Sequence, residues 1–417
     1  MAYRPRIVDA ELTRRLVSMG AVVIEGPKAC GKTATAREFA ASEVLLDVDQ
    51  NARRAVGVDP DLVLSGDPPR LIDEWQIEPA IWNHIRRAVD DRGEVGQFIL
   101  TGSAVPPNDV TRHTGAGRLT RLRMRPMSLF ETGHATGGVS VAALLQGKSP
   151  RAADPGLTIR NLVERASVGG WPGHLDRGVD ERLEAVRSYL DEIRRVDVGR
   201  VDQAVRDPEK IGRLLASLGR NVATYASIPT LAGDAGGADG ALADSTIRDY
   251  LAALDRLMIL EDQPAWAPHL RSKSRLRKAS KRHFVDPSLA VAALGATPAQ
   301  LLDDLEFFGF VFESLVIRDL RIYAQAADAR ILQYQDNSGL EVDAVVRTRD
   351  GRWAAFEVKL GQDQVDEAAR NLVKLRDGRI DTAKAGEPAV LAVIVGTGLS
   401  YTRDDGVAVV AVGALGP

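Results

Sequence analysis

Short apolar runs separated by amphipathic stretches dominate the first third of the chain. The apolar runs, each typical of a buried β-strand, lie at residues 21–24, 44–49, 70–75 and 97–101. The stretches between them place apolar residues at helical spacing, most clearly over Lys32–Ala41 and Ala80–Asp91. Because strands that alternate with helices form parallel sheets covered on both faces, residues 1–130 are predicted to form an α/β domain.

From residue 131 the periodic apolar positions give way to Gly, Ala, Ser and Pro. This composition predicts a connector over 131–156, with helices from residue 157 onward. We therefore treat residues 131–206 as a connector and helical segment that links the first domain to the unit beginning at residue 207.

Residues 207–285 have the pattern of a small winged-helix unit. Helices are predicted at Glu209–Asn221 and at Ser245–Met258, and a Gly/Ala-rich loop over 232–241. The second helix places apolar residues at core spacing, namely Ile247, Leu251, Leu254 and Leu257. Its charged residues fall on the other faces, as in the recognition helix of a winged helix.

Residues 286–417 return to an α/β pattern and predict a second, independent α/β domain. A helix is expected near 304–325. Strands are expected near 330–335, 341–347, 353–360 and 389–395.

The clearest chemical motif lies directly after the first strand and opens a helix. It is an unbroken G-x-x-x-x-G-K-T sequence formed by Gly26, Pro27, Lys28, Ala29, Cys30, Gly31, Lys32 and Thr33. Its glycines allow backbone N–H groups to surround phosphate oxygens, which predicts ATP binding. Lys32 supplies positive charge to the β- and γ-phosphates, and the Thr33 hydroxyl ligates Mg²⁺. We expect Cys30, inside this loop, to react with thiol reagents unless ATP is bound.

An acidic pair ends the strand at residues 70–75. Asp73 is predicted to complete the Mg²⁺ shell, and Glu74 to orient or deprotonate the attacking water. A pair, rather than a single Asp, favours an ATPase with an additional strand in its sheet over a kinase or a GTPase. The sequence also lacks an N-K-x-D motif for guanine recognition.

Three further residues are candidates for contacting the γ-phosphate. Thr101 and Ser103 end the strand expected between the phosphate-loop strand and the Asp73 strand, although a capping or turn role fits them equally well. Arg118 is a candidate arginine that acts within its own subunit or on a neighbouring one.

A basic run lies just after the predicted recognition helix. Its members are Arg271, Lys273, Arg275, Arg277, Lys278, Lys281 and Arg282, with no acidic residue among them. On a chain of net charge −3, such a cluster predicts binding to the phosphates of DNA. Two alternatives stay open: a wing that only packs against the ATPase domain, and a contact for an acidic protein partner.

The last domain contains a pattern of acidic residues and a lysine. Asp343 lies on one predicted strand, while Glu357 and Lys359 lie on another and project to the same face. Together with Glu313 on the preceding helix, the two carboxylates are predicted to hold Mg²⁺, and the lysine to act on the attacking water. Asp followed by Glu-x-Lys is typical of PD-(D/E)xK nucleases, whose fold also serves as a binding module without cleavage.

The composition of the chain limits the class of protein and the cellular compartment that we expect. The chain has 417 residues and 45% hydrophobic residues, which is enough for several domains. A single cysteine excludes a disulfide framework, and no signal-like or membrane-spanning run is present. We therefore expect a cytoplasmic protein with no membrane partner, and assembly into a homo-oligomer is left open. The six histidines show no paired spacing for zinc.

With these residues identified, the chain resembles the bacterial and archaeal AAA-type ATP-binding proteins that carry a C-terminal domain of unknown function. The resemblance rests on the phosphate loop, D-E-W-Q at 73–76, L-T-G-S at 100–103, G-R-L…R-P-M-S-L-F-E at 117–131 and G-G-W-P-G at 169–173. It implies an ATPase core, a winged-helix-like middle and a nuclease-like last domain.

The sequence supports two functional hypotheses. The first is an ATP-hydrolysing protein that acts on or binds DNA through its winged helix and nuclease-like domain. The second is an ATP-dependent regulator or scaffold whose last domain binds a protein partner without cleavage.

Overall fold

The computed structural model describes residues 3–104, 114–201, 204, 206–268 and 279–417. The first domain contains a five-stranded parallel sheet in the order β2-β3-β4-β1-β5. Its strands are β1 (Ala21–Glu25), β2 (Ser42–Leu45), β3 (Arg70–Asp73), β4 (Phe98–Gly102) and β5 (Leu119–Arg123). Its helices are α1 (Asp9–Leu16), α2 (Lys32–Arg37), α3 (Gln50–Val58), α4 (Asp61–Leu64) and α5 (Ile81–Arg92).

The order of this sheet confirms the α/β prediction. Strand β4 pairs with both β1 and β3, so it lies between the phosphate-loop strand and the Asp73 strand. Three details differ from the sequence-based expectation. Strand β2 ends at Leu45 rather than at residue 49, and strand β3 ends at Asp73 rather than at residue 75. Strand β5 was not predicted, because most of its residues are polar.

The middle of the chain is mostly helical. Its elements are β6 (Val139–Ser140), α6 (Val141–Leu144), α7 (Ile159–Val168), α8 (Val179–Glu192), α9 (Val198–Arg200), α10 (Pro208–Arg220), α11 (Ile228–Gly236) and α12 (Asp244–Arg256). One turn of π-helix, Ile193–Asp197, joins α8 to α9. The apolar residues expected to form the core face of α12 are all buried.

The last part of the chain forms a six-stranded sheet in the order β11-β12-β10-β9-β8-β7. The six strands are β7 (Ala329–Gln335), β8 (Glu341–Thr348), β9 (Trp353–Lys359), β10 (Leu391–Val395), β11 (Tyr401–Thr402) and β12 (Ala408–Ala411). A seventh strand, β13 (Leu415–Gly416), lies outside this sheet and pairs with β6. The helices are α13 (Pro287–Ala293), α14 (Pro298–Asp303), α15 (Leu305–Ala326), α16 (Val365–Gly378) and α17 (Thr382–Ala385). Strands β7, β8 and β9 are antiparallel neighbours, whereas β10 is parallel to β9.

The predicted connector over 131–156 is wrong as a description of the structure. Strand β6 pairs in parallel with β13, and Ala152 forms an antiparallel bridge with Ser400. The segment is therefore part of the last domain, because both bridges pair it with strands or loops close to the C-terminus. Its small residues allow this close packing of backbone against backbone.

The predicted loop over 232–241 is also wrong in part. Residues 232–236 form the second half of α11, whose first turn has Pro229 and is capped by the Ser227 side chain. Leu231, Ala232 and Ala235 are buried. Small residues indicate a loop in the sequence, but here they let α11 pack closely against α10 and α12.

A continuous hydrophobic core joins the middle of the chain to the last domain. The same cluster of buried residues includes Leu162, Leu214 and Leu254 from the middle and Leu320 and Ile394 from the last domain. The prediction of independent units at 207–285 and 286–417 therefore needs correction, because these units share one core. Within the described residues, no helix is long and apolar enough to cross a bilayer.

Candidate functional sites

The phosphate loop connects the carboxyl end of β1 to the start of α2. Ala29 and Gly31 both adopt positive φ angles, of 61° and 101°, which turn the backbone sharply between the strand and the helix. At Gly26 a side chain is excluded, because a Cβ atom would lie 2.3 Å from the carbonyl oxygen of Met124. Lys32 is buried, and its Nζ donates to the carbonyl oxygen of Pro27 at 2.8 Å. These glycines and this lysine thus shape the loop as a phosphate site requires.

Three predicted residues converge beside this loop. The Thr33 hydroxyl donates to Asp73 Oδ1 at 2.8 Å, and the Thr101 hydroxyl donates to the same oxygen. Hydroxyl and carboxylate oxygens are the ligands that Mg²⁺ prefers, so Thr33 and Asp73 fit a magnesium ion. The side chain of Thr101 positions Asp73.

Glu74 is held in a defined orientation. Its backbone is in the left-handed region, with a φ of 53°, and its amide donates to Thr101 Oγ1 at 3.3 Å. Ser103 Oγ donates to Glu74 Oε2 at 3.1 Å, and the Gln76 side-chain amide donates to the same oxygen. Gln76 was missed as a functional residue, although the D-E-W-Q sequence contained the signal. A γ-phosphate-sensing role for Thr101 or Ser103 stays a prediction.

Arg118 does not lie near the phosphate loop of its own chain. It directly precedes β5, whose first residue, Leu119, pairs with Ala21 at the amino end of β1. The phosphate loop begins at the opposite, carboxyl end of β1, five residues further along the strand. Arg118 instead forms an ion pair with Asp90 at 2.7 Å. The proposed contact within its own subunit is therefore wrong, and a contact across subunits stays a prediction.

Two side chains of the loop point away from a phosphate site. The ammonium of Lys28 forms an ion pair with Asp197 Oδ1 at 2.5 Å, in the π-helical turn of the middle segment. Cys30 is fully buried, and its Sγ faces the Met124 carbonyl oxygen at 3.9 Å. The expectation that thiol reagents reach Cys30 in the folded protein is wrong, because the loop backbone and its neighbours cover it.

We predict that Cys30 reacts with a chromogenic disulfide reagent only after unfolding. Because it is the single cysteine, absorbance reports this thiol alone. We expect a slow reaction in buffer, a fast one in denaturant, and no acceleration when ATP is left out. A native rate close to that of a free small thiol would show that the loop opens or that the thiol is exposed.

The predicted residues of the last domain come together at one site. Lys359 Nζ lies 2.9 Å from Glu357 Oε2 and 3.8 Å from Asp343 Oδ2. Asp343 Oδ2 also accepts from the backbone amide of Val358 at 2.9 Å, which joins β8 to β9. Glu313, on α15, lines the same cavity of about 650 Å³.

Lys281 occupies the centre of this site and changes its chemistry. Its ammonium lies 2.9 Å from Glu313 Oε1, 2.6 Å from Glu341 Oε1 and 3.2 Å from Asp343 Oδ1. Its side chain is only 2% exposed. Lys281 therefore cannot contact DNA in this structure, which corrects its assignment to the basic surface.

The predicted metal site of the last domain is likewise not formed. Throughout the described part of the chain, no group of three or more His, Cys, Asp or Glu side chains is arranged to hold a metal ion. The physical reason is that the Lys281 ammonium stands between Glu313 and Asp343. Lys281 was not assigned to this site from the sequence, because it is distant from Asp343 and Glu357 along the chain. Glu341 was not assigned to the site either.

The electrostatics of the site result from burial and from this mixture of charges. Burial, together with the nearby Asp343 carboxylate, raises the pKa of Glu313 to about 8. Burial and Asp343 also raise the pKa of Glu357 well above its ordinary value. Burial would raise the pKa of Asp343 as well, but the ammonium groups of Lys281 and Lys359 hold it below its ordinary value. Asp343 is thus the carboxylate most firmly kept ionised.

The remaining basic run is only partly described. Arg271, Lys273, Arg275, Arg277 and Lys278 lie outside the described residues. Arg282 is described, and it pairs with Asp262 at 2.5 Å. Their role in DNA binding stays a prediction.

Two other motifs of the resemblance have a structural role. In the R-P-M-S-L-F-E block, the Met127 amide donates to the Gly170 carbonyl oxygen at 2.7 Å. A Cβ on Gly170 would lie 1.9 Å from the Met127 carbonyl oxygen, so the G-G-W-P-G loop requires glycine there. The Gly170 amide donates to Asp286 Oδ2 at 3.0 Å, which ties both motifs to the last domain.

Residues 18–133 match a protein family described as an AAA domain. Residues 159–300 and 308–415 match two further families, described as domains of unknown function DUF8612 and DUF4143. No curated protein matches the sequence significantly.

Among solved structures, the chain is similar to the Walker-type ATPase PABY2304 of Pyrococcus abyssi. The identity is 12% and the TM-score 0.40, over 68% of this chain and 94% of the other.

Residues 18–133, which include the parallel sheet and the phosphate loop, are thus similar to AAA domains. The rest of the chain is similar to two families of unknown function. The winged-helix and nuclease-like assignments of the rest of the chain stay predictions.

Proposed function

We propose that this protein hydrolyses ATP and binds DNA, and that ATP binding changes how the DNA is held. The observation that carries the proposal is the arrangement at the carboxyl ends of β1, β3 and β4. There Thr33, Asp73 and Thr101 form one hydrogen-bonded group, and Glu74 is oriented beside it.

Each residue of this arrangement supports one part of hydrolysis. Lys32 exchanges its contact with the Pro27 carbonyl oxygen for the negative charge of the phosphates. Thr33 and Asp73 would hold Mg²⁺ together with ATP, and the ion would neutralise charge on the phosphate oxygens. The Glu74 carboxylate, oriented by Ser103 and Gln76, accepts a proton from the attacking water.

The DNA-binding part of the proposal rests on the unit over 207–285. Helices α10, α11 and α12 precede two antiparallel segments. Leu260 of the first segment pairs with Phe284 of the second, and Gln263 pairs with Lys281. A further antiparallel bridge joins Thr224 to Arg282. Three helices with a small antiparallel sheet are typical of a winged helix. In the sequence, five members of the basic run come between Gln263 and Lys281, namely Arg271, Lys273, Arg275, Arg277 and Lys278.

The nuclease-like assignment of the last domain is supported by the order of its elements. Helix α15 precedes the antiparallel strands β7, β8 and β9, and helix α16 precedes the parallel strand β10. Asp343, Glu357 and Lys359 meet on β8 and β9. Because Lys281 fills the centre of the site, the proposed role of this domain in the described conformation is binding rather than cleavage.

Salt dependence tests the proposed DNA contact. Replacing Arg275, Arg277 and Lys278 with Ala should weaken duplex binding for all sequences alike. If each of them contacts a phosphate, each loss should flatten the plot of log affinity against log salt by about 0.9. The affinity of a labelled duplex is measured by fluorescence anisotropy between about 50 and 200 mM salt.

A matched control removes three exposed arginines elsewhere, Arg14, Arg54 and Arg151, and thus changes the net charge equally. This control should keep the slope of the parent. An equal loss of slope in both variants would mean that only overall charge matters, and an affinity indifferent to salt would reject the DNA contact.

A further inference from the structure

We propose that Lys281 is an internal cation that closes the carboxylate site of the last domain, and that a divalent cation binds there when Lys281 withdraws. The proposal concerns the nuclease-like site of the proposed function. It does not depend on ATP hydrolysis or on DNA binding, and its experiment uses neither.

The first support is the coordination of the ammonium. Three carboxylates, from Glu313, Glu341 and Asp343, surround one Nζ at 2.6–3.2 Å. A buried charge is costly unless its partners compensate it. Here the compensation is distributed over several acidic oxygens, as it is around a bound metal ion.

The second support is a pair of acidic side chains that lie together at the same site. Glu357 is 2% exposed, and its carboxyl group lies within hydrogen-bonding reach of the Asp343 side chain. Its Oε2 contacts Lys359 at 2.9 Å, and no N–H or O–H group of the described residues donates to its Oε1. Neighbouring buried acidic groups are costly unless a cation compensates them, and a hard divalent cation would do so. Lys281 contacts Glu313, Glu341 and Asp343 but not Glu357.

The third support is the way in which Lys281 is delivered. It lies on the bridged segment opposite Gln263, whose side-chain amide donates to the carbonyl oxygens of Leu332 and Asp343 at 2.9 and 2.7 Å. The same strand continues to Trp266, whose amide donates to the Gln333 carbonyl oxygen at 2.6 Å. The two bridged segments, which contain Gln263 and Lys281, therefore dock on the last domain. A shift of this pair of segments would remove the ammonium from the site.

The site is also reachable from solvent. It opens onto a cavity of about 650 Å³, which is lined in part by Tyr225, Phe310 and Lys374. The Tyr225 ring lies 5.8 Å from the Lys281 ammonium, so it covers that ammonium on one side. Asp343 and Glu357 also line this cavity, so a cation that enters it would reach them once Lys281 has withdrawn.

The first test measures Mn²⁺ binding to the full chain without nucleotide by isothermal titration calorimetry. Lys281→Met keeps the length of the side chain and removes its charge. We expect it to gain one Mn²⁺ site, at least tenfold tighter than any site of the parent. Lys374→Met, which removes another lysine lining the same cavity, should behave as the parent does. Adding Asp343→Asn to Lys281→Met should abolish the gained site.

Three outcomes would overturn the proposal. They are a folded Lys281→Met protein without tighter binding, an equal gain in Lys374→Met, and a gained site that survives Asp343→Asn. Circular dichroism establishes that each variant is folded.

The second test uses the parent protein and therefore does not depend on the folding of a variant. Reductive methylation of lysines is measured by mass spectrometry with and without Mn²⁺. Since Mn²⁺ competes with the ammonium, labelling of Lys281 should increase several-fold, while labelling of Lys374 stays unchanged. Protection of Lys281 that is identical with and without Mn²⁺, up to millimolar concentrations, would contradict the proposal.

Discussion

Replacing Glu74 with Gln should lower the rate of ATP hydrolysis by about 10²–10⁴-fold, which is the usual contribution of a positioned general base. The amide has nearly the shape of the carboxylate but cannot accept the proton of the attacking water. ATP binding should remain, because the loop, Lys32 and Thr33 are unchanged. Phosphate release at saturating ATP and the equilibrium binding of a fluorescent ATP analogue measure the two effects separately.

Lys32→Ala should affect nucleotide binding at the same site. It removes the positive charge that compensates the phosphates, so nucleotide affinity should fall together with turnover. Glu78→Gln, a change to an acidic residue close by in the sequence, serves as the control and should keep both. Unchanged hydrolysis in Glu74→Gln and Lys32→Ala would reject the assignment of this site.

Removal of the Asp286 carboxylate should destabilise the fold by about 3–5 kcal/mol, the usual cost of breaking a buried ion pair on one side. Arg318 is 2% exposed, and its guanidinium pairs with Asp286 at 2.9 Å and with Asp319 at 2.7 Å. Asp286→Ala leaves the buried cation with one carboxylate instead of two. It also removes the acceptor of the Gly170 amide.

Urea unfolding monitored by circular dichroism measures this loss. The free energy of unfolding is compared between the parent and each variant, for the part of the transition in which the shared core unfolds. Asp176→Ala, which breaks the exposed pair with Arg4, is the control and should leave the transition unchanged. A stability of Asp286→Ala equal to that of the control would show that the network does not hold the motif loops to the last domain.

Local pattern was enough to predict the parallel sheet, the phosphate loop and the acidic pair of the first domain. Each depends on residues that are neighbours along one strand and the loop after it. The long helix α15 and strands β7 to β10 were predicted for the same reason. Strand β5 was not, because three of its five residues, Thr120, Arg121 and Arg123, are polar and its two leucines do not alternate with them.

The features that the sequence did not reveal depend on contacts between distant segments. Lys281 belongs to a basic run in the sequence, and only the pairing of Gln263 with Lys281 brings it to Glu313 and Asp343. Arg118 has a plausible position along the chain but lies at the wrong end of the sheet. Which end a side chain occupies depends on strand register, which no single motif contains.

The affinity of duplex DNA for the Glu74→Gln protein, measured with ATP, with ADP and without nucleotide, tests the central claim most directly. This variant should hold ATP without consuming it, so each nucleotide state can be compared at equilibrium. The account predicts salt-sensitive binding whose affinity with ATP differs by about fivefold or more from that with ADP, at the lower end of typical coupling between sites. Equal affinity in all three states, in a protein that demonstrably binds ATP, would contradict it.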